Sequence, residues 1–349
     1  MEPALHDGFS LDSTGPQPLI RQALRGWMVQ AGANGTAWDE GRGNSLKRWA
    51  AGLVLATLLA GVVGIGWGPR DLPARLVNRY SPHAPSSPEE WARVYGYGPD
   101  ELVEFTFDRG RGRPFFQGEV NGRPASLFFD SANAFGLTVP EAWVRQEGWR
   151  VTGERPHVVG GQPTGTFPDF TVTSLAVAGV ALPISVGTSW AGNEASFGWP
   201  SLRGRTITLD YAHGRAAIGS RPLPESITPG RGRYVARYVS PEGYAGAVLI
   251  PTRVRGRQYL ALVDTGASVT AIDRTLAEEW GLAPNLLGRV RLEGLEIGPF
   301  RLDVPSAALR PVRTLFRSGP RPSFVIGADV LCRFLVTFDY AAGRLILER

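Results

Sequence analysis

The chain has 349 residues, 43% hydrophobic and 20% charged, enough apolar material for two cores and too much for a wholly disordered chain; its 44 glycines and 28 prolines argue against long helical bundles and for short strands joined by tight turns. The single cysteine, Cys332, excludes a disulfide framework and a cysteine zinc site, and the four histidines (His6, His83, His157, His213) share no metal-ligand spacing, so neither metal nor cofactor is expected. The net charge of +5 comes from arginines spread along the chain instead of gathered in a stripe, so no nucleic-acid partner is expected.

Residues 1–48 carry five acidic and five basic side chains and one modest apolar stretch, Pro18 to Val29, and are read as a flexible cytoplasmic tail without activity. From Trp49 to Gly68 run twenty residues without a charge, polar only at Thr57 and bounded by Trp49 and Trp67. At about 1.5 Å per residue this length matches a bilayer core of about 30 Å, and it predicts one uncleaved transmembrane helix. Basic residues flank it on both sides; the Lys47-Arg48 pair favours an inside N-terminus, which puts the rest of the chain outside the cytoplasm, in the periplasm of a Gram-negative cell. Residues 69–100 are a linker by composition, with prolines at 69, 73, 82, 85, 88 and 99. A short helix is predicted within it, capped by Ser87, with Pro88 at its first position and Glu90 completing a capping box ahead of Trp91.

The remaining chain contains an internal repeat. Gly122-RPASLFF-Asp130 and Gly256-RQYLALV-Asp264 place glycine and aspartate in the same relation at an offset of 134. Further on, Gly198-WPSLRGRTITLDYAHGR aligns without a gap to Gly327-ADVLCRFLVTFDYAAGR at an offset of 129. The blocks come in the same order, 68 and 63 residues apart from aspartate to glycine, and define two copies of one lobe, 101–222 and 223–349. Within each copy, apolar strands (Ala125 to Phe129, Tyr259 to Val263) feed the aspartate, and later strands (Thr206 to Tyr211, Leu335 to Tyr340) end in turns at Gly214 and Gly343. Short helices are expected after Pro140 and Asp273, and just after Gly198 and Gly327. Matched Asp210 and Asp339 are read as turn residues, Asp273 and Asp329 as a helix start and a loop position, and Cys332 as a core thiol.

Asp264-Thr265-Gly266 follows an apolar strand, precedes Ala267-Ser268, and has Ile326-Gly327 far downstream. With the duplication, this pattern resembles the retropepsin-like and pepsin-like aspartic proteases over about residues 101–349. The resemblance implies a mostly β fold of two tandem lobes about a pseudo-two-fold axis, preceded here by the transmembrane helix. It implies an endopeptidase that takes an extended polypeptide, with Asp264 and its repeat counterpart Asp130 as catalytic carboxylates. Thr265, Gly266, Ser131, Ala132, Gly327 and Gly198 would be the supporting loop residues. Two carboxylates are needed because one takes a proton from water while the other gives one to the carbonyl oxygen.

Ala132 departs from the pattern, which has glycine there; if the position needs φ > 0 the alanine is strained, and its Cβ can push the loop from its partner. Three arrangements follow: an intramolecular Asp130–Asp264 pair in a monomer, which leads; a structural first lobe with Asp264 pairing across a homodimer; and an inactive tandem that binds peptides or serves as a membrane-tethered interaction module. A pepsin-like arrangement also implies a flap in the first lobe alone. HVVGGQPTGTF, with Gly160, Gly161 and Gly165, suits a mobile hairpin tip, whereas APNLLGRVRLEG in the second lobe is poorer in glycine and is read as shortened.

Overall fold

The computed structural model describes residues 85–107, 112–159, 162–227, 232–240, 246–316 and 319–349. The expected tail (1–48), the expected span (49–68), residues 69–84 of the linker, and Gly160 and Gly161 lie outside the described residues. Among the described residues no helix is long and apolar enough to cross a membrane.

The described chain opens with helix α1 (Pro88–Tyr95) and strands β1 (Leu102–Glu104) and β2 (Thr106–Phe107). The first lobe runs through β3 (Pro114–Val120), β4 (Arg123–Phe129), β5 (Leu137–Pro140), α2 (Glu141–Gln146), β6 (Val151–Val159), β7 (Gln162–Thr171), β8 (Leu175–Val177), β9 (Val180–Ala181), β10 (Val186–Trp190), β11 (Ala195–Phe197), β12 (Thr206–Asp210) and β13 (Arg215–Gly219). The second contains β14 (Arg233–Arg237), β15 (Val248–Val254), β16 (Arg257–Val263), β17 (Ala271–Asp273), α3 (Arg274–Glu279), β18 (Arg289–Ile297), β19 (Phe300–Arg310), β20 (Phe324–Ile326), α4 (Ala328–Leu331), β21 (Leu335–Asp339) and β22 (Arg344–Glu348).

Matching sequence produces matching local structure. The β3–β4 turn is Asn121-Gly122, with φ of 51° and 83°, and the β15–β16 turn is Arg255-Gly256, with φ of 50° and 75°. Two residues at positive φ give the turn whose twist suits a hairpin. In both hairpins the first strand pairs residue for residue with the strand that ends at the aspartate.

Three sheets organise these elements. The first lobe is a ten-stranded sheet, ordered β6-β7-β10-β5-β11-β4-β3-β8-β9 with β2 paired to β3, and the second is a closed barrel, β15-β16-β20-β17-β19-β18. A six-stranded sheet, β1-β13-β12-β21-β22-β14, joins the two. At its centre β12 pairs antiparallel with β21, and Thr208 faces Thr337 with their hydroxyls 2.7 Å apart. Thr206 faces Asp339 and Asp210 faces Leu335, so exchanging positions at the offset of 129 leaves the register unchanged. A two-fold relation thus passes between Thr208 and Thr337. The main core is continuous across both lobes; Phe129 of β4 packs edge-on against Phe338 of β21 at 5.4 Å.

Three expectations are corrected. Helix α1 forms as predicted, with Ser87 accepting from the Glu90 amide at 3.3 Å and Gly96 ending it at φ 75°. The Glu90 carboxylate, however, closes back on the Ser86 amide at 2.7 Å. The helix is also no free spacer. Trp91 and Tyr95, one turn apart, are buried with Tyr97 against Ala217, Leu335 and Ile346 of the joining sheet, because an apolar i, i+4 pair needs a surface to cover it.

The second-lobe hairpin is not shortened either: β18 and β19 have 9 and 11 residues against 9 and 10 in β6 and β7. What differs is attachment. β18 bonds back to β15 through Arg253 and Glu296, closing the barrel, and Gly298 at the hairpin tip packs against the Tyr234 ring. β6 instead forms the edge of its sheet.

Candidate active site

Each aspartate sits where a strand end is caught by a later strand. β4 delivers Asp130 beside β11, which runs parallel to it, and the Asp130 amide donates to the Phe197 carbonyl at 2.9 Å. β16 and β20 do the same for Asp264, whose amide donates to the Ile326 carbonyl at 3.0 Å. Gly198 and Gly327 follow the catching strands with φ of −144° and −95°, ordinary values for any residue. Glycine is needed there for space. A Cβ on Gly327 would stand 2.8 Å from the Ala267 carbonyl oxygen, and one on Gly198 would stand 2.8 Å from that of Asp130.

The hydroxyl residues after the aspartates tie the loops together. Ser131 N donates to Thr265 Oγ1 at 2.9 Å, and Thr265 N donates to Ser131 Oγ at 3.1 Å. Each hydroxyl also donates to the carbonyl two residues before the other one: Ser131 Oγ to Val263 at 2.9 Å and Thr265 Oγ1 to Phe129 at 2.7 Å. Both side chains are fully buried. Four such bonds at roughly 1 kcal/mol each, none replaceable by water at that depth, hold the carboxylates in one geometry.

The two carboxyl groups act on one another's ionisation. Asp264 Oδ1 accepts from the amides of Gly266 at 2.8 Å and Ala267 at 3.1 Å, and Asp130 Oδ1 accepts from Ala132 N at 2.9 Å. Ala132 is not among the residues at positive φ, so the expected backbone strain is absent and its amide serves as that of Gly266 does. Gly266 is the tight position. An added Cβ there would lie 2.7 Å from the Asp130 carboxyl carbon.

Both aspartates are half-buried. Burial raises the pKa of each above the ordinary carboxylate range, and the charge of Asp264 raises Asp130 further. Against this, the Gly266 and Ala267 amides, the Asp130 carboxyl and the Arg113 guanidinium lower Asp264, and the Ala132 and Asn133 amides lower Asp130. Burial and the repulsion between the two charges therefore favour a single proton held by the pair as a unit. One ionised and one protonated carboxyl in contact can take a proton from water and give one to a carbonyl oxygen.

Two residues near the site escaped the sequence reading. Asp329, expected as a loop position, lies in α4 and accepts from both the amide and the hydroxyl of Thr270 at 2.8 Å, binding α4 to the chain that leaves Asp264. Arg113 lies just before β3 and reaches Asp264 electrostatically. Neither has a sequence signal, because their counterparts in the repeat are Pro200 and Ala247. The other assigned carboxylates have turn and cap roles: Asp210 accepts from His213 N, Asp339 from Ala342 N, and Asp273 caps α3. Cys332 is buried, and burial pushes its thiol up to about 12, leaving it neutral. Among the described residues no three His, Cys, Asp or Glu side chains gather to hold a metal.

One comparison with known proteins falls on the second of these loops. A family model for aspartyl proteases matches residues 250–330, the stretch from β15 to α4 that contains Asp264, Thr265, Gly266 and Gly327. Among solved structures, an aspartic proteinase from Irpex lacteus is similar at 14% identity and a TM-score of 0.46, over 71% of this chain and 96% of that one. No curated protein matches the sequence. The stretch that carries Asp264 is thus similar to the aspartyl proteases.

Proposed function

We propose that the chain is a membrane-anchored aspartic endopeptidase whose two catalytic carboxylates, Asp130 and Asp264, come from one chain. The observation that carries this reading is the pair of half-buried carboxylates, each on its own loop, with Ser131 and Thr265 locking the loops to each other. Asp264, ionised, takes a proton from a water poised between the carboxyls as that water attacks the peptide carbonyl. Asp130 gives its proton to the carbonyl oxygen, and a gem-diol results. Asp264 then returns its proton to the leaving nitrogen while a diol hydroxyl gives its own to Asp130, so the carbon–nitrogen bond breaks and the pair is regenerated. The substrate is an extended polypeptide, and the β6–β7 hairpin, free at its sheet edge, is suited to close over it and exclude water.

An inactive peptide-binding tandem was suggested by Ala132, but an alanine that donates to Asp130 at 2.9 Å without positive φ gives it little support. Anchoring rests on the uncharged run at 49–68. A reporter active only outside the cytoplasm, fused after Arg349, should be active, and a cytoplasmic readout would reject that orientation. The enzymatic reading is tested by incubating the full-length chain with a mixed peptide library across pH, beside Asp264→Asn. Cleavage by the unmodified chain alone, blocked by a statine-type transition-state analogue, is expected. Equal cleavage by both, or by neither, would reject it.

A further inference from the structure

The two aspartate loops are nearly interchangeable, yet the charges around them are not. Gly112, on the approach to β3, lies against Ala328, where a Cβ would stand 3.3 Å from the Ala328 methyl. Ala328 N in turn donates to the Ala267 carbonyl in the Asp264 loop at 2.8 Å. In the other half, Gly246 packs against Trp199, and these are the positions that the offsets of 134 and 129 assign to Gly112 and Ala328. The crossing is thus made twice, but the residue that follows differs: Arg113 in one case, Ala247 in the other.

Arg113 is held firmly. Its side chain is 6% exposed and forks onto Glu194, Nη1 to Oε2 at 3.0 Å and Nη2 to Oε1 at 2.7 Å, with the guanidinium over the Phe128 ring at 4.5 Å and the Phe115 ring at 5.4 Å. The counterpart of Glu194 is Ser323, so the other half has neither member of the ion pair.

We propose that Arg113, oriented by Glu194, is a positioning residue that polarises the aspartate pair, favouring ionised Asp264 and fixing the shared proton on Asp130. A symmetric pair would divide its proton equally and be ready for catalysis in either orientation; a fixed cation on one side selects one. The electrostatics of the two loops are otherwise alike: burial raises each carboxyl and two backbone amides lower it, those of Gly266 and Ala267 for Asp264 and of Ala132 and Asn133 for Asp130, while the Arg113 charge lowers Asp264 in addition. The other titratable groups that act around the pair are Tyr211, towards Asp264 and Cys332, and Tyr340, towards Asp130 and Tyr238. Burial raises all three phenols and the thiol, so they stay neutral over the working pH range and cannot supply this asymmetry.

This inference rests on the endopeptidase reading, and its test separates the two. The pH profile of kcat/KM is measured for the full-length chain and for Arg113→Met, Arg113→Lys and Glu194→Gln. The acid limb reports ionisation of Asp264. Removing the cation should move that limb up by roughly half a unit to one unit, less than the 1–3 units of an unopposed neighbouring charge because Glu194 offsets it. Arg113→Lys should restore the limb. Glu194→Gln, which removes the opposing anion, should move it down. A merely structural ion pair predicts the same loss from either side with unmoved limbs, and unmoved limbs or shifts of one sign would overturn the proposal. If the unmodified chain cleaves no peptide, the endopeptidase reading fails on its own. The Asp264 carboxyl carbon, titrated by NMR in the same variants, then decides: opposite shifts for Arg113→Met and Glu194→Gln sustain the proposal, and coincident curves overturn it.

Discussion

Gly266 and Ala132 hold equivalent places in their loops, yet exchanging glycine and alanine should not be symmetric. A methyl on Gly266 would meet the Asp130 carboxyl carbon at 2.7 Å, and fixed strands on either side leave the loop little room to retreat. Gly266→Ala should therefore lower kcat by on the order of 10²-fold, the cost of displacing a reacting group by about 1 Å. Ala132→Gly keeps the amide that serves Asp130 and should hydrolyse within about threefold of the unmodified chain. Steady-state kinetics on both check this. The raised pKa of Asp130 also bears on stability: at pH below the ordinary carboxylate range Asp130 is protonated folded or unfolded and costs nothing. As pH rises past that range the unfolded state ionises more readily, and the folded state loses relative stability until Asp130 itself titrates. Asp130→Asn removes this penalty, so it should raise Tm at neutral pH and raise it less at pH 3; an equal gain at both would contradict the shift. The aspartates and their hydroxyl neighbours were legible because the repeat writes them twice. Arg113 and Asp329 were not, since each acts across a contact made by chain far away in sequence and each stands opposite an unrelated residue in the other copy.

Hairpins β6–β7 and β18–β19 show where glycine content misleads. The second was read as poorer in glycine and shortened, but hairpin length follows from how far two strands can pair, and β19 runs to 11 residues. The difference that matters is the neighbour each outer strand finds: β15 for β18, and for β6, among the described residues, none beyond β7. Substitutions at the two tips should then fall on different properties. Gly298→Val places a branched side chain at φ 56° against the Tyr234 ring, and it should cost roughly 1–3 kcal/mol in thermal or denaturant unfolding. Replacing Gly160 and Gly161 with proline should leave Tm nearly unchanged and reduce turnover. Unchanged hydrolysis in that variant would reject the flap role, and a large loss of Tm would show that the hairpin is structural.

At the scale of the whole molecule, the duplication gave away the joining sheet without naming it. Two strands ending in Asp-Tyr turns at an offset of 129 were visible, but only their antiparallel pairing, with Thr208 opposite Thr337, turns two copies into one two-fold body. The proline-rich stretch before it concealed a second contribution: Trp91 and Tyr95 cover one face of that sheet, which proline content could not reveal. Because the two-fold relation lies inside one chain, the proposed pair of carboxyls would need no second subunit. The most direct test is the rate of peptide hydrolysis by the unmodified chain, Asp130→Asn, Asp264→Asn and the double variant, each over a wide range of enzyme concentration. The unmodified chain should show a specific activity independent of concentration and a bell-shaped pH profile. Each single variant should lose on the order of 10³-fold or more, with little further loss in the double variant because the two carboxyls act as a unit. An active Asp130→Asn beside a dead Asp264→Asn, with specific activity rising with concentration, would contradict the intramolecular pair and place the second carboxyl on another copy of the chain.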